Sequence, residues 1–182
     1  MSFEIPFIAA ELIFAVFWIL LGVVRSLRHH RINWKRKALL LLMYVNLAVL
    51  LRLTFFPMAR LNGQVQPLPF DSEQILPLRV NLIPWIHLFY FETRKDLLLN
   101  LIGNVTMFIP TGIILPILYR KLDRFWKVFL VGTGMSLLIE ILQLPFYTRA
   151  SDVDDLILNS SGVAIGYGIY CIFAKRKKKN HE

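Results

Sequence analysis

The sequence predicts an all-α membrane protein, a polytopic bundle of about five transmembrane helices. The chain has 182 residues, of which 56% are hydrophobic, and its mean hydropathy is +0.55. That is too apolar for an ordinary soluble domain. Five apolar stretches each approach the roughly 20 residues that cross a bilayer. Basic residues separate alternate stretches, and polar residues collect near one end of the last three.

The predicted spans are Pro6–Val24, Ala38–Phe56, Leu97–Tyr119, Phe125–Phe146 and Val153–Ala174. The first has neither a basic N-terminal segment nor a small-residue cleavage site, so we expect a retained anchor rather than a signal peptide. Pro145 is expected to stop the fourth helix.

The connection between the second and third spans has two parts. From Pro57 to Pro77 it is rich in Pro, Gly, Gln and Asn, which predicts irregular structure. The following stretch is apolar and aromatic but too short to span. We therefore expect an interfacial or re-entrant segment near 80–92, with His87 as an amphipathic anchor.

Basic residues determine the predicted orientation. They cluster after the first, third and fifth spans: Arg25, Arg28, Arg31, Lys35, Arg36 and Lys37; Arg120, Lys121, Arg124 and Lys127; Lys175, Arg176, Lys177, Lys178 and Lys179. Cytoplasmic loops carry such excesses. The pattern predicts an N-terminus outside and a cytoplasmic C-terminus.

The same pattern predicts the domain organisation. Residues 1–79 form two N-terminal spans and an outer loop, 80–174 a membrane core, and 175–182 a basic cytoplasmic tail. The net charge is +9, but its place in short flanks indicates contact with anionic lipid rather than nucleic acid. Cys171 is the only cysteine, which excludes an intrachain disulfide and a thiolate metal cage.

Polar residues recur near the outer ends of three predicted helices: Asn100, Asn104, Glu140, Gln143, Asp152, Asp155 and Asn159. Spacings of three or four residues place those of each helix on one face. Gly162 and Gly166 continue the face of the fifth helix, which suits close helix packing. Because such groups are costly in hydrocarbon, their recurrence predicts one site facing the outer leaflet.

Each polar residue has a candidate role in that site. Glu140 lies about one turn inside an apolar run, where a carboxyl can act as a general acid or base. Asp155 and Asp152 would orient it or hold a divalent cation such as Mg²⁺. Arg149 and Arg52 either neutralise the acids or hold a lipid phosphate. Asn100, Asn104, Gln143 and Asn159 would fix the acids and the substrate.

Structural explanations compete with these roles. The Asn and Gln side chains are of the kind that hydrogen-bond between membrane helices. Asp152 and Asp155 follow Ser151, a good N-cap residue, and acids suit the first turn of a helix. Asp154 is expected to face water. Ser160 and Ser161 are expected to be packing residues.

Taken in order, these residues resemble the VanZ-like family of bacterial membrane proteins. The resemblance runs from Asn81 to about Tyr170 and includes the following motifs: Asn81-Leu-Ile-Pro84, Phe108-Ile-Pro110-Thr-Gly112, Glu140-x-x-Gln143, and Arg149 with Asp152-x-x-Asp155, Asn159 and Gly162. It implies a bacterial plasma-membrane protein, in a family whose founding member is associated with resistance to the glycopeptide teicoplanin.

Two functions follow from this pattern. The first is an integral membrane enzyme that modifies a lipid or lipid-linked head group at the outer face. The second is a non-catalytic module that binds a lipid head group, a cell-wall precursor or a glycopeptide. Substrate, metal and oligomeric state stay open at this stage.

Overall fold

Five long helices dominate the structure, a computed structural model that describes residues 2–28, 33–56, 60–61, 63–74, 76, 79–85, 93–146, 148–149 and 151–179. In that part of the chain the helices are α1 (Phe7–Arg28), α2 (Trp34–Phe55), α3 (Arg94–Leu118), α4 (Phe125–Gln143) and α5 (Val153–Lys179). Each is long and apolar enough to cross a membrane. The predicted all-α polytopic fold is confirmed.

Several helix ends differ from the predicted spans: α1 continues to Arg28, α2 begins at Trp34 and α3 begins at Arg94. The helix α4 ends at Gln143, before Phe146, because Pro145 lacks an N–H and disfavours helical geometry in the residue before it. The helix α5 continues past Ala174 to Lys179. Lys and Arg are good helix formers, so a basic segment can prolong a helix beyond its apolar span.

Short strands occur where the sequence predicted none. They are β1 (Ser2–Ile5), β2 (Arg60–Leu61), β3 (Gln64–Val65), β4 (Leu68–Asp71), β5 (Val80–Asn81) and β6 (Ser151–Asp152). A short helix of the 3₁₀ type covers Ser72–Gln74. The prediction of irregular structure from Pro57 to Pro77 was therefore partly wrong, since strands this short pair through backbone N–H and C=O groups, which every residue other than proline carries whatever its side chain.

The described chain divides into two compact units. The first contains Met1–Arg79 with Gln143–Ala150, and the second contains Val80–Leu142 with Ser151–Glu182. In the first, β1 pairs antiparallel with β4, and β2 pairs with β3 around Gly63, whose φ of 78° suits a tight turn. Phe14 on α1 stacks on Tyr44 of α2 at a centroid distance of 5.5 Å.

The second unit is built on close packing of α3 against α5. A Cβ added to Gly112 would collide with the carbonyl oxygen of Val163, and one added to Gly162 would collide with that of Val105. These helices approach backbone to backbone, which small residues permit in membranes. Strand β5 pairs in parallel with β6, which directly precedes α5.

The segment expected near 80–92 at the interface is described through Trp85. Val80–Asn81 forms β5 and a turn follows at Pro84 and Trp85. The rest of that segment, including His87, lies outside the described residues.

Candidate functional site

The start of α5 is a hydrogen-bonded junction centred on Asp152. Its Oδ1 accepts the backbone N–H of Asp154 at 3.0 Å, which is the bond of an N-cap residue. The same oxygen accepts Nδ2 of Asn81 at 3.1 Å. Ser151, the N-cap considered in the structural explanation of these acids, instead donates its hydroxyl to the carbonyl of Glu140 at 2.6 Å. It does not cap α5 because the helix begins at Val153, one residue later than a Ser151 cap requires.

A backbone N–H group holds the side chain of Glu140 at this junction. Its side chain is only 6% exposed, and Oε2 accepts the backbone N–H of Asp152 at 3.0 Å. Asp155 and Asp152 are close enough to interact electrostatically with this carboxyl. The structure thus brings the three predicted acids together and gives Glu140 a fixed orientation.

The paired asparagines of α3 have different surroundings. Asn104 donates Nδ2 to Oδ1 of Asp155, which links α3 to α5 beside the glycine contact. Asn100 is partly exposed, and its side chain makes no hydrogen bond to any other described residue. Of this pair, the structure joins Asn104 alone to the acids.

Further along α5, two polar contacts connect it to α4. Asn159 donates Nδ2 to Oγ of Ser136 at 2.9 Å, and the hydroxyls of Thr133 and Ser160 lie 2.9 Å apart. Because Ser160 donates its proton to the carbonyl of Leu156, Thr133 is the donor between the two hydroxyls. We call Thr133, Ser136, Asn159 and Ser160 the polar ladder.

Thr133 and Ser136 were not among the residues predicted for the site. The signal was present, because Thr133, Ser136 and Glu140 follow each other at spacings of three and four residues, on one face of α4. Ser160 was expected to be a packing residue, and the structure adds a polar role. By helix rise, Thr133 lies about 10 Å along α4 from Glu140.

Asp154 contradicts the expectation that it faces water. It is 5% exposed, and its Oδ1 accepts the backbone N–H of Trp85 at 2.8 Å. Trp85 has a φ of 65°, in the left-handed region that a bulky side chain rarely adopts. Asp154, at the start of α5, therefore holds the strained turn at Trp85 through a hydrogen bond. The two residues are distant in sequence, so helix periodicity does not reveal this contact.

The predicted arginines lie in the first unit, at the C-terminal end of α2. Three side-chain donors each bind one carbonyl there: Gln143 Nε2 to Thr54 at 2.7 Å, Arg149 Nε to Phe55 at 3.1 Å and Arg52 Nη1 to Phe56 at 3.0 Å. The last carbonyls of a helix have no partners within it. The three side chains donate hydrogen bonds to these carbonyls and so form a polar cap for α2.

The two arginines also affect each other. Burial lowers the pKa of Arg149 below its ordinary value, and the positive charge of Arg52 lowers it further. No carboxylate lies within ion-pair distance of either guanidinium in the described part of the first unit. The expectation that they neutralise acids therefore has no support among these residues.

The residues predicted for one site are thus divided between the units. The second unit holds Asn100, Asn104, Glu140, Asp152, Asp155 and Asn159, and the first holds Arg52, Gln143 and Arg149. No group of three or more His, Cys, Asp or Glu side chains among the described residues is arranged to hold a metal ion. The geometry thus gives no support to the divalent cation considered from the sequence.

Comparison with known proteins shows a family match and a similarity to a curated relative. The model of the VanZ/LLP1 family matches residues 38–174. Protein VanZ of Enterococcus faecium is 34% identical over 71 residues, which are 39% of this chain and 44% of that protein. The matched part is thus less than half of that relative. No solved structure matches the chain.

Proposed function

Because the chain belongs to the VanZ/LLP1 family, we propose that it is a bacterial plasma-membrane enzyme that modifies the head group of a lipid or lipid-linked molecule. The reaction would take place at the outer face and contribute to resistance against glycopeptides such as teicoplanin. The observation that carries the proposal is Glu140, a buried carboxyl oriented by the backbone N–H of Asp152.

The chemistry assigned to Glu140 is proton transfer. A positioned carboxyl in apolar surroundings can take the proton of an attacking hydroxyl and deliver it to the leaving oxygen. Asp155, held by Asn104, and Asp152, held by Asn81, fix the electrostatic surroundings of Glu140. The asparagines keep both aspartates in place through bonds between elements far apart in sequence. In this proposal Glu140 is the reacting group, and the aspartates and amides position it.

A second candidate is a non-catalytic module that binds a lipid head group, a cell-wall precursor or a glycopeptide. The observation that favours it is the internal pairing of the polar side chains. Asn104 bonds Asp155, Asn81 bonds Asp152 and Asn159 bonds Ser136. A network of paired side chains suits recognition as well as catalysis, because each group is already held in place before a ligand binds.

The variant Glu140→Gln distinguishes the two functions, because it keeps the shape of the side chain but removes its acidity. Membrane lipids and cell-wall lipid precursors would be profiled by mass spectrometry in cells with the wild type or the variant at equal membrane levels. Glu11→Gln is the matched control, because it makes the same change in another apolar span.

If the protein is an enzyme, a head-group species should appear or disappear in cells with the wild type or Glu11→Gln. The same change should be missing in cells with Glu140→Gln. Identical lipid profiles in all strains, with the resistance phenotype retained by Glu140→Gln, would contradict catalysis by Glu140 and support the binding module.

A further inference from the structure

The C-terminal end of α2 concentrates positive charge in the first unit. The guanidinium groups of Arg52 and Arg149 are both half-buried and both bind carbonyls at this end. The partial negative charge of a helix C-terminus is about half a unit. Two full positive charges exceed it, so the cap leaves a net positive charge at the end of a membrane-spanning helix.

Each guanidinium has donors to spare. Arg149 uses Nε for Phe55, and its Nη2 is buried without a hydrogen-bond partner in the described structure. Arg52 uses Nη1 for Phe56, and its Cζ lies 5.5 Å from the ring centre of Phe7. A guanidinium presents five N–H groups. Most of the donors are thus available to another acceptor.

The aromatic side chains around the two guanidinium groups make binding of an anion more favourable. Phe146 meets Phe55 and Phe70 edge to face, with centroid distances of 6.2 and 6.1 Å. Apolar rings lower the local dielectric and make an unpaired donor costly. The two like charges also repel each other, which burial makes worse. An acceptor with a full negative charge and several oxygens would pair with the unused donors and reduce the repulsion between the two arginines.

We propose that the guanidinium groups of Arg52 and Arg149 bind the phosphate group of a membrane phospholipid. The planar fork of arginine matches phosphate oxygens and can contact two of them at once. The end of a transmembrane helix lies at the depth of the lipid head groups, which makes lipid phosphate the abundant ligand there. This proposal stands without any catalytic role for Glu140.

The turn after α4 positions Arg149 for this role. The backbone N–H of Phe146 donates to the carbonyl of Gln143 at 2.9 Å, and that of Arg149 donates to the carbonyl of Phe146 at 2.9 Å. Two successive turns therefore bring Arg149 back to the end of α2. Two arginines at residues 52 and 149 thus come to share one helix end.

The test is lipid binding by the purified full-length chain, measured by native mass spectrometry. Phosphatidylglycerol is the probe, diacylglycerol with the same acyl chains lacks the phosphate, and inorganic phosphate is the competitor. Arg149→Gln and Arg52→Gln each remove one guanidinium. Arg94→Gln removes an exposed arginine at the start of α3 and is the charge-matched control.

The expected result is a Kd for phosphatidylglycerol that rises about tenfold in each of the two variants, the effect of losing a charge-assisted contact. Arg94→Gln should bind as the wild type does. Arg149→Lys should fall between the wild type and Arg149→Gln, because it keeps the charge but loses the fork. Equal binding by all variants would overturn the proposal, as would equal affinity for diacylglycerol.

A measurement on the wild type alone tests the proposal even if the variants do not fold. Phenylglyoxal labels accessible arginines, and peptide mass spectrometry reports the extent at Arg149. Phosphatidylglycerol should protect Arg149 while diacylglycerol does not. Protection by inorganic phosphate at the same concentration would assign the site to free phosphate and overturn the lipid assignment. No protection by any probe would overturn the site altogether.

Discussion

The two units hold their helices together by different means. In the second, α3 and α5 approach closely enough that their glycines face backbone carbonyls, and polar side chains bridge the helices. In the first, α1 and α2 meet through aromatic rings, and none of the apolar window of α1 is buried. Helices surrounded by lipid gain nothing from apolar burial, so close packing and hydrogen bonds determine which contacts are rigid. The candidate acids lie in the second unit, where both kinds of contact occur.

The largest expected effect follows from the glycine contact. Gly162→Ala would drive a methyl group into the carbonyl of Val105 and should destabilise the protein by about 3 kcal/mol, the upper part of the usual range for overpacking. Gly22→Ala on α1 meets no atom within 4 Å and should change stability by less than about 1 kcal/mol. Unfolding in mixed detergent micelles measures both. Equal stability of the two variants would remove the contrast between the units.

The Asp154 contact predicts the next largest effect. Asp154→Ala leaves the N–H of Trp85 without its acceptor and should cost about 2 kcal/mol, as for a hydrogen bond to a charged group. In a variant with Trp85 as the sole tryptophan, its emission should shift. Asp154→Asn keeps an acceptor oxygen and should shift the spectrum less. Unchanged emission in Asp154→Ala would place Trp85 elsewhere.

A smaller coupling is expected within the polar ladder. A double-mutant cycle of Asn159→Ala and Ser136→Ala should give about 0.6 kcal/mol, the mean for hydrogen bonds between membrane helices. Ser161, an exposed hydroxyl that bonds its own helix at Ile157, is the control partner and should show no coupling to Ser136. A zero value for the first cycle would mean that the hydrogen bond between Asn159 and Ser136 does not help to hold α4 against α5.

The smallest effect concerns an exposed ion pair, Lys127 with Asp123 at 2.7 Å. The hydrogen bond from Lys127 lowers the pKa of Asp123 in the folded protein. Its contribution is therefore present above the ordinary aspartate pKa and lost as the pH falls through the lowered value. Lys127→Ala should cause the least change of the series at neutral pH and none in strong acid. Destabilisation that persists in acid would assign Lys127 another role.

Helix existence was predictable because it depends on local composition. About 20 apolar residues are needed to cross a bilayer wherever they occur in the chain, so each of the five helices could be found from its own sequence. The strand pairing of Ser2–Ile5 with Leu68–Asp71 could not. It joins segments more than sixty residues apart through backbone groups, which every sequence carries.

Site residues were predictable in part, for the same reason. Helix spacing placed Glu140, Asp152, Asp155 and Asn104 on the polar faces of their helices, and the structure pairs Glu140 with Asp152 and Asn104 with Asp155. The same spacing on α4 carried Thr133 and Ser136, but hydroxyl residues are common in membrane helices and were passed over. Asp154 was misplaced because its partner, Trp85, precedes it by a long stretch of chain.

The sequence by itself determined the five spans and the polar faces of the last three, because hydrophobicity and helix periodicity act over a few neighbouring residues. Tertiary structure alone decided the partners of the polar groups. It gave Asp152 rather than Ser151 the cap of α5, and it gave Arg52 and Arg149 to the end of α2. A hydrogen bond depends on atoms brought within about 3 Å by packing, and no local pattern specifies which distant segments will meet.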